Sequence, residues 1–145
     1  MYSIEHIGIA VKSLDESDSL FERLLGTPPY KHEEVLSEKV ITSFFVTGNS
    51  KVELLQATHE DSAIQLFIDR RGVGLHHIAF EVADIRAEMK RLKAEGFELT
   101  REEPHRGADH KWVCFIHPRS ANGVLVELCQ TIRDDILTDG DALES

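Results

Sequence analysis

The pattern of apolar and polar residues predicts two units in which a strand is followed by a helix. Residues 6–11 (HIGIAV) and 77–82 (HIAFEV) have an apolar side chain at every second position, which is typical of strands with one buried face. Residues 13–26 and 84–96 then show the three- to four-residue apolar spacing of helices, and each begins at a capping residue and ends at a glycine. We therefore predict a strand–helix unit in each half of the chain.

These units belong to an internal repeat. The two strands, like the two capping residues, are 71 positions apart, and VELL at 52–55 resembles VELC at 126–129. Unrelated segments rarely agree at strand, cap and helix end, so the repeat predicts the fold. The predicted fold class is α+β, with two paired βαβββ modules that form a cleft between them. The further strands that the pattern predicts are 40–46, 51–55, 112–116 and 123–129.

The repeat also predicts the domain organisation. A chain of 145 residues is long enough for one domain with a core of its own. A short helix capped by Asp61 or Ser62 connects the two modules. We predict a single domain over 1–145, with module one at about 1–60, the linker helix at 61–72, module two at 74–132 and an acidic tail at 133–145.

Composition and charge exclude several partners and compartments. The formal net charge of −10 disfavours nucleic acid and anionic membranes, which are themselves negatively charged. No apolar run approaches the roughly 18–20 residues that span a bilayer, and the N-terminus lacks the pattern of a secretory signal. Cys114 and Cys129 lie in apolar, strand-like segments, so we predict buried reduced thiols in a cytoplasmic protein.

A histidine and a glutamate occupy matched positions in the two halves. His6 and His77 begin the repeated strands, and Glu53 and Glu127 lie in the repeated VEL segments. Because side chains alternate between the faces of a strand, all four are predicted to point away from the helices, and His76 to point the other way. Two imidazoles and two carboxylates suit a divalent first-row metal ion. A single such residue is more often exposed to solvent, and it is the matched pairing that favours a metal-binding cleft.

Several longer motifs occur in a fixed order along the chain, and together they resemble one family. They are HIGIAV at 6–11, KVELL at 51–55, GLHHIA at 74–79, and HPR at 117–119 followed by GVLVEL at 123–128. In this order the motifs resemble the methylmalonyl-CoA epimerase family of vicinal-oxygen-chelate enzymes, also called the glyoxalase–bleomycin-resistance superfamily. The resemblance runs from about residue 4 to residue 130.

The resemblance implies a cofactor, an assembly and a ligand set. It implies the fold of paired βαβββ modules, a homodimer and one divalent metal ion per chain. The metal is typically cobalt, with zinc, nickel or manganese as alternatives. By the same resemblance the metal ligands are His6, Glu53, His77 and Glu127, the residues that the repeat selects.

The resemblance also implies a reaction, the epimerisation of methylmalonyl-CoA at C2 through an enolate. In related enzymes glutamates near the metal move the proton, so Glu127 is the first candidate for the catalytic base and Glu53 the second. Some family members carry another glutamate on the preceding strand, where this chain has Thr42 and Ser43. Lys111 matches a lysine of the family motif and is the candidate for binding the acyl-CoA substrate, through its carboxylate or a phosphate. A solvated loop lysine is an equally good interpretation.

Proteins of other classes share this fold. A glyoxalase I-type lyase acting on a glutathione hemithioacetal would use the same ligand types. A metal-free small-molecule-binding resistance protein would lack the four-ligand set. A ring-cleaving dioxygenase would use two histidines and one carboxylate, and Glu53 as a fourth ligand argues against it.

Overall fold

The chain folds around one curved β-sheet with helices packed against it. The computed structural model describes residues 2–133, so the predicted acidic tail at 133–145 lies, apart from its first residue, outside the described residues. Within that range a strand, a helix and three strands are followed by a connecting helix, and the same five-element order then recurs. The predicted α+β fold of two βαβββ modules is confirmed.

The first module contains the capped helix that the sequence predicts. The Ser13 side chain accepts a hydrogen bond of 3.3 Å from the backbone N–H of Glu16. Gly26 adopts the left-handed conformation, with φ 76°, that commonly ends a helix. The elements of this module are β1 (Ser3–Val11), α1 (Leu14–Leu25), β2 (Lys31–Val35), β3 (Val40–Thr47) and β4 (Ser50–Ala57).

The second module follows a connecting helix that Ser62, not Asp61, caps. The predicted strand at 123–129 is wrong at its start, because Gly123 has φ 81° and belongs to a turn, and the strand begins three residues later. The remaining elements are α2 (Ala63–Arg71), β5 (Gly74–Glu81), α3 (Ile85–Ala94), β6 (His105–Gly107), β7 (Lys111–Ile116) and β8 (Val126–Thr131).

The sheet has an approximate twofold arrangement. Among residues 2–133 its strand order is β2-β3-β4-β1-β5-β8-β7-β6. β1 and β5 run antiparallel at its centre, and each pairs in parallel with the last strand of its own module, β4 or β8. The two edges of the sheet approach each other. Asp109, in the turn after β6, forms an ion pair with Lys31 of β2, and its Oδ1 lies 2.7 Å from Lys31 Nζ. Its backbone N–H also donates to Glu33 at 2.9 Å.

The helices α1 and α3 cover the same face of the sheet in their respective modules. On β1, Ile9 and Val11 pack under α1 together with Leu54, which is fully buried. Met89 of α3 packs in the same way with Leu128, also fully buried. Each fully buried side chain of this size contributes roughly 1.5–3 kcal/mol relative to an exposed one. The opposite face of the central strands is therefore left to form the cleft.

Candidate active site

The two predicted histidines and the two predicted glutamates line one cleft between the modules. His6 and Glu53 are each 4% exposed, Glu127 is 6% exposed and His77 is 8% exposed. All four border a cavity of about 450 Å³. In the strand pairing, Glu53 lies opposite Gly8 and Glu127 lies opposite Ala79. Gly8 and Ala79 each come two positions after the histidine of their module. The same register in both modules thus brings all four side chains to one place.

Three of the four side chains direct ligand atoms at a common point. His6 Nε2 lies 3.0 Å from His77 Nε2 and 3.7 Å from Glu127 Oε1. His77 Nε2 lies 3.3 Å from the same Glu127 oxygen. Nitrogen and oxygen ligands that bind one first-row ion at about 2.0–2.2 Å are themselves roughly 3–4 Å apart. This donor set therefore fits a divalent ion.

Glu53 lies at the other edge of the His6 ring. Its Oε2 is 3.1 Å from His6 Nδ1. Glu5, which the sequence did not single out, is closer to the same nitrogen, with Oε1 at 2.6 Å. Glu5, His6 and Glu53 form a second group of possible ligands beside the first. The structure thus places the fourth predicted ligand beside His6 Nδ1, whereas His77 and Glu127 lie beside His6 Nε2.

Burial and mutual contacts shift the pKa of several groups in the cleft. Burial alone would lower the pKa of His6, but hydrogen bonds to Glu127 and Glu5 and the charge of Glu53 raise it to about 10. Burial raises the pKa of Glu53 to about 7. Burial and the charge of His6 hold the pKa of His77 well below its usual value. A cation at His6 Nε2 therefore competes with a proton at the same atom.

The candidate substrate-binding lysine, Lys111, lies in a strand and takes part in an ion-pair network. Lys111 is the first residue of β7 and is 9% exposed, so its placement in the preceding loop was wrong. Its Nζ donates to Thr131 at 2.7 Å and to Glu81 at 3.1 Å, and it lies 3.7 Å from Glu5. Lys51 contacts the same Glu5 oxygen at 2.9 Å. Among the described residues Lys111 is not part of the cleft wall.

Several polar residues of the cleft wall were not predicted as site residues, and three of them are His76, Thr42 and His105. His76 lines the cleft, with its Nδ1 2.9 Å from His77 Nδ1, so the prediction that it faces away is wrong. Thr42 Oγ1 and His105 Nδ1 are buried in the cleft wall and have no hydrogen-bond partner within residues 2–133. No local sequence signal marks His105, because only the sheet brings β6 to the cleft. Thr42 was noted only as a position where some family members carry a glutamate.

Comparison with known proteins agrees with this fold. A family model described as the Glyoxalase/Bleomycin resistance protein/Dioxygenase superfamily matches residues 5–115. The ethylmalonyl-CoA/methylmalonyl-CoA epimerase of Cereibacter sphaeroides is 37% identical over 129 residues, which cover 88% of this chain and 96% of that protein. The similarity therefore extends over both modules.

Solved structures with the same fold are also similar in sequence. The methylmalonyl-CoA epimerase from Mycobacterium tuberculosis aligns with a TM-score of 0.86 and 30% identity over 90% of this chain and 88% of that one. A Streptomyces coelicolor methylmalonyl-CoA epimerase variant in complex with 2-nitronate-propionyl-CoA gives a TM-score of 0.84 and 32% identity, over 89% and 94% of the two chains.

The chain belongs to the glyoxalase/bleomycin resistance protein/dioxygenase superfamily and, within it, to the methylmalonyl-CoA epimerase family. Members of that family are enzymes, so the prediction of an enzyme is confirmed.

Proposed function

We propose that this enzyme epimerises methylmalonyl-CoA at C2, by removing a proton from one face of that carbon and returning one to the other. The observation that carries the proposal is the position of two buried carboxylates, Glu53 and Glu127, at opposite edges of the His6 ring in one cleft. Inversion at a carbon requires a proton acceptor on one face and a donor on the other. The substrate follows from the names of the relatives and from the CoA analogue bound to one of them.

Each carboxylate has a separate role in this proposal. Glu127 removes the C2 proton, and Glu53 delivers a proton to the opposite face. Thr42 and His105 also line the cleft in which the substrate would bind.

The same residues would hold one divalent ion per chain. His6, His77 and Glu127 supply three converging donors, and Glu53 is the fourth ligand that the family resemblance implies. Cobalt is the favoured metal, with zinc, nickel or manganese as alternatives. When bound, the ion supplies positive charge that stabilises the negative charge developing on the substrate oxygens as C2 loses its proton.

Deuterium exchange in D₂O tests the proposed reaction and its metal requirement together. We expect the metal-loaded enzyme to incorporate deuterium at C2 of methylmalonyl-CoA, and elemental analysis to give one divalent ion per chain. A strong chelator should abolish the exchange, and readdition of cobalt should restore it. A glutathione hemithioacetal, the substrate of a glyoxalase I-type lyase, serves as the comparison substrate. Undiminished exchange in the metal-free protein would contradict the metal requirement.

We also propose that the enzyme is a homodimer. Module two and α2 border an apolar groove whose lining includes Leu66, Leu75 and Val124, which are 47–69% exposed. A second copy covering this groove would bury apolar side chains that otherwise face water. The two sheet edges are a poorer candidate for the interface, because Asp109 and Lys31 already join them.

Light scattering tests this assembly. We expect the wild-type chain to have the mass of a dimer at micromolar concentration, and Leu75→Glu to shift it towards the monomer, because a buried unpaired carboxylate opposes association. Leu24→Glu is the matched control, since Leu24 is 68% exposed and lies outside the groove. A monomeric wild-type chain would refute the proposal.

The remaining proposals concern organisation and compartment. We propose that 1–145 is a single domain and that the enzyme acts in the cytoplasm. In support, Cys114 and Cys129 are both buried and unpaired, as expected in a reducing compartment. No helix among residues 2–133 combines the length and hydrophobicity needed to cross a membrane.

A further inference from the structure

The central strands β1 and β5 contain two β-bulges at equivalent positions of the repeat. Ile4 pairs with Phe80 and His6 pairs with Ala79, so Glu5 is an extra residue on β1. Further along, Gly8 pairs with His77 and Ile9 with Leu75, so His76 is an extra residue on β5. Glu5 and His76 are 71 positions apart, the same offset as His6 and His77. Each bulge residue thus immediately precedes one of the two cleft histidines.

Both bulge residues contact the same atom of the histidine that follows them. Glu5 Oε1 lies 2.6 Å from His6 Nδ1, and His76 Nδ1 lies 2.9 Å from His77 Nδ1. In a regular strand, neighbouring side chains point to opposite faces and such contacts do not form. A bulge changes the direction of the extra side chain, which permits them. Bulges of this kind are common next to active sites.

We infer that Glu5 and His76 are positioning residues, which hold His6 and His77 by their Nδ1 atoms and so turn both Nε2 atoms towards the ion of the proposed function. The two Nε2 atoms lie 3.0 Å apart, and each faces the same oxygen of Glu127. An imidazole that donates from Nδ1 presents its Nε2 lone pair as the ligand. The inference rests on the metal site of the proposed function.

The chemistry of the two contacts supports this orientation. A carboxylate only accepts hydrogen bonds, so at 2.6 Å the hydrogen belongs to His6 Nδ1 and Glu5 accepts it. Glu5 is itself fixed by Lys51 at 2.9 Å and approached by Lys111 at 3.7 Å. Lys51 and Lys111 therefore influence His6 through their contacts with Glu5, although neither lysine lines the cleft.

The His76 ring is held by packing as well as by its polar contact. It meets the Phe67 ring edge to face, with ring centroids 4.9 Å apart and an interplanar angle of 87°. This packing leaves His76 Nδ1 facing His77 Nδ1. In the proposed arrangement His77 Nδ1–H donates and His76 Nδ1 accepts, which frees His77 Nε2 for the ion.

Zinc binding to the full chain tests the inference, because zinc is diamagnetic and permits NMR of the imidazoles. Glu5→Ala and His76→Phe each remove an acceptor, and the phenyl ring keeps the packing against Phe67. Loss of such an outer contact typically lowers metal affinity by about 10- to 100-fold. We expect a loss in this range in a competition titration with a chromophoric chelator. Glu5→Gln and His76→Asn keep an acceptor oxygen and should recover much of the affinity.

Exposed residues of the same types supply the controls. Glu34→Ala and His32→Phe on β2 should bind zinc as the wild type does, since both side chains are exposed and neither lines the cleft. Circular dichroism of the metal-free variants should show an unchanged fold.

NMR of the zinc-loaded wild type gives a second readout that does not depend on affinity. Nitrogen–proton correlation spectra of the imidazoles should show His6 and His77 coordinated through Nε2 with a hydrogen on Nδ1. Coordination through Nδ1, or full affinity in both Glu5→Ala and His76→Phe, overturns the inference while leaving the metal site intact. A wild-type chain that binds no zinc or cobalt overturns both the inference and the metal site on which it rests.

Discussion

Glu127→Gln is expected to lose most of the deuterium exchange at C2 of methylmalonyl-CoA while retaining a bound metal ion. An amide oxygen can still coordinate a cation, but it does not accept a proton near neutral pH. Removing a general base typically lowers a rate by about 10²- to 10⁴-fold. The measurement is the rate of C2 exchange per bound ion for the epimer that Glu127 deprotonates, because Glu53 removes the proton of the other epimer in the reverse reaction. Metal content is determined on the same sample.

Glu53→Gln is the matched variant, because Glu53 has nearly the same burial and borders the same ring. In the proposed roles it should retain removal of the proton and lose inversion, so that exchange persists while epimerisation stops. Wild-type exchange in Glu127→Gln combined with none in Glu53→Gln would mean that the two roles are reversed. Activity in both variants would place the proton carriers outside this pair.

Gly8→Ala is expected to displace the His77 ring and to disrupt the metal site from a position that bears no ligand. A Cβ atom added at Gly8 would lie 2.5 Å from His77 Nδ1 and 2.7 Å from His77 Nε2, well inside van der Waals contact. Inserting a methyl group into a packed site commonly costs about 1–3 kcal/mol. We expect a lower unfolding free energy in urea and a loss of metal affinity, because His77 cannot keep its position.

A double-mutant cycle separates this clash from other effects of the methyl group. In the His77→Ala background the ring is absent, so adding Gly8→Ala should cost little further stability. Equal costs in the two backgrounds would show that the methyl group acts through the backbone and not through His77. The equivalent position in the second module, Ala79, already carries a methyl group opposite His6 and is fully buried.

The internal repeat explains why so much of the fold and the cleft was predictable. A single histidine on a strand with alternating apolar residues says little about function. His6 and His77 occupy the same position in the two copies of the repeat, so their side chains are expected to point to the same cleft. The same holds for Glu53 and Glu127. The helix caps at Ser13 and Asp84 were predictable for a different reason, since capping depends on local contacts within three residues.

The features that the sequence did not reveal depend on pairing between distant segments. The alternation rule assumes regular strands, so it excluded His76 from the cleft, and the bulge at that position depends on the register with β1. The strand Lys31–Val35 is mostly polar and the strand His105–Gly107 has three residues, so neither shows a clear apolar pattern. Lys111 was interpreted as either a substrate-binding or a solvated loop lysine, because its partner Glu81 lies 30 positions away and the ion pair does not show in the sequence.

The seam between the two modules is the pairing of β1 with β5, and an ion bound in the cleft would hold the modules together across it. His6 belongs to one module, whereas His77 and Glu127 belong to the other, so an ion held by all three crosses the seam. Pulling the modules apart would break its coordination, and mass action would oppose that opening by about 2.7 kcal/mol when free metal is 100 times its Kd. The ion would thus act as a cross-link that couples the unfolding of the two halves, so that neither half opens alone.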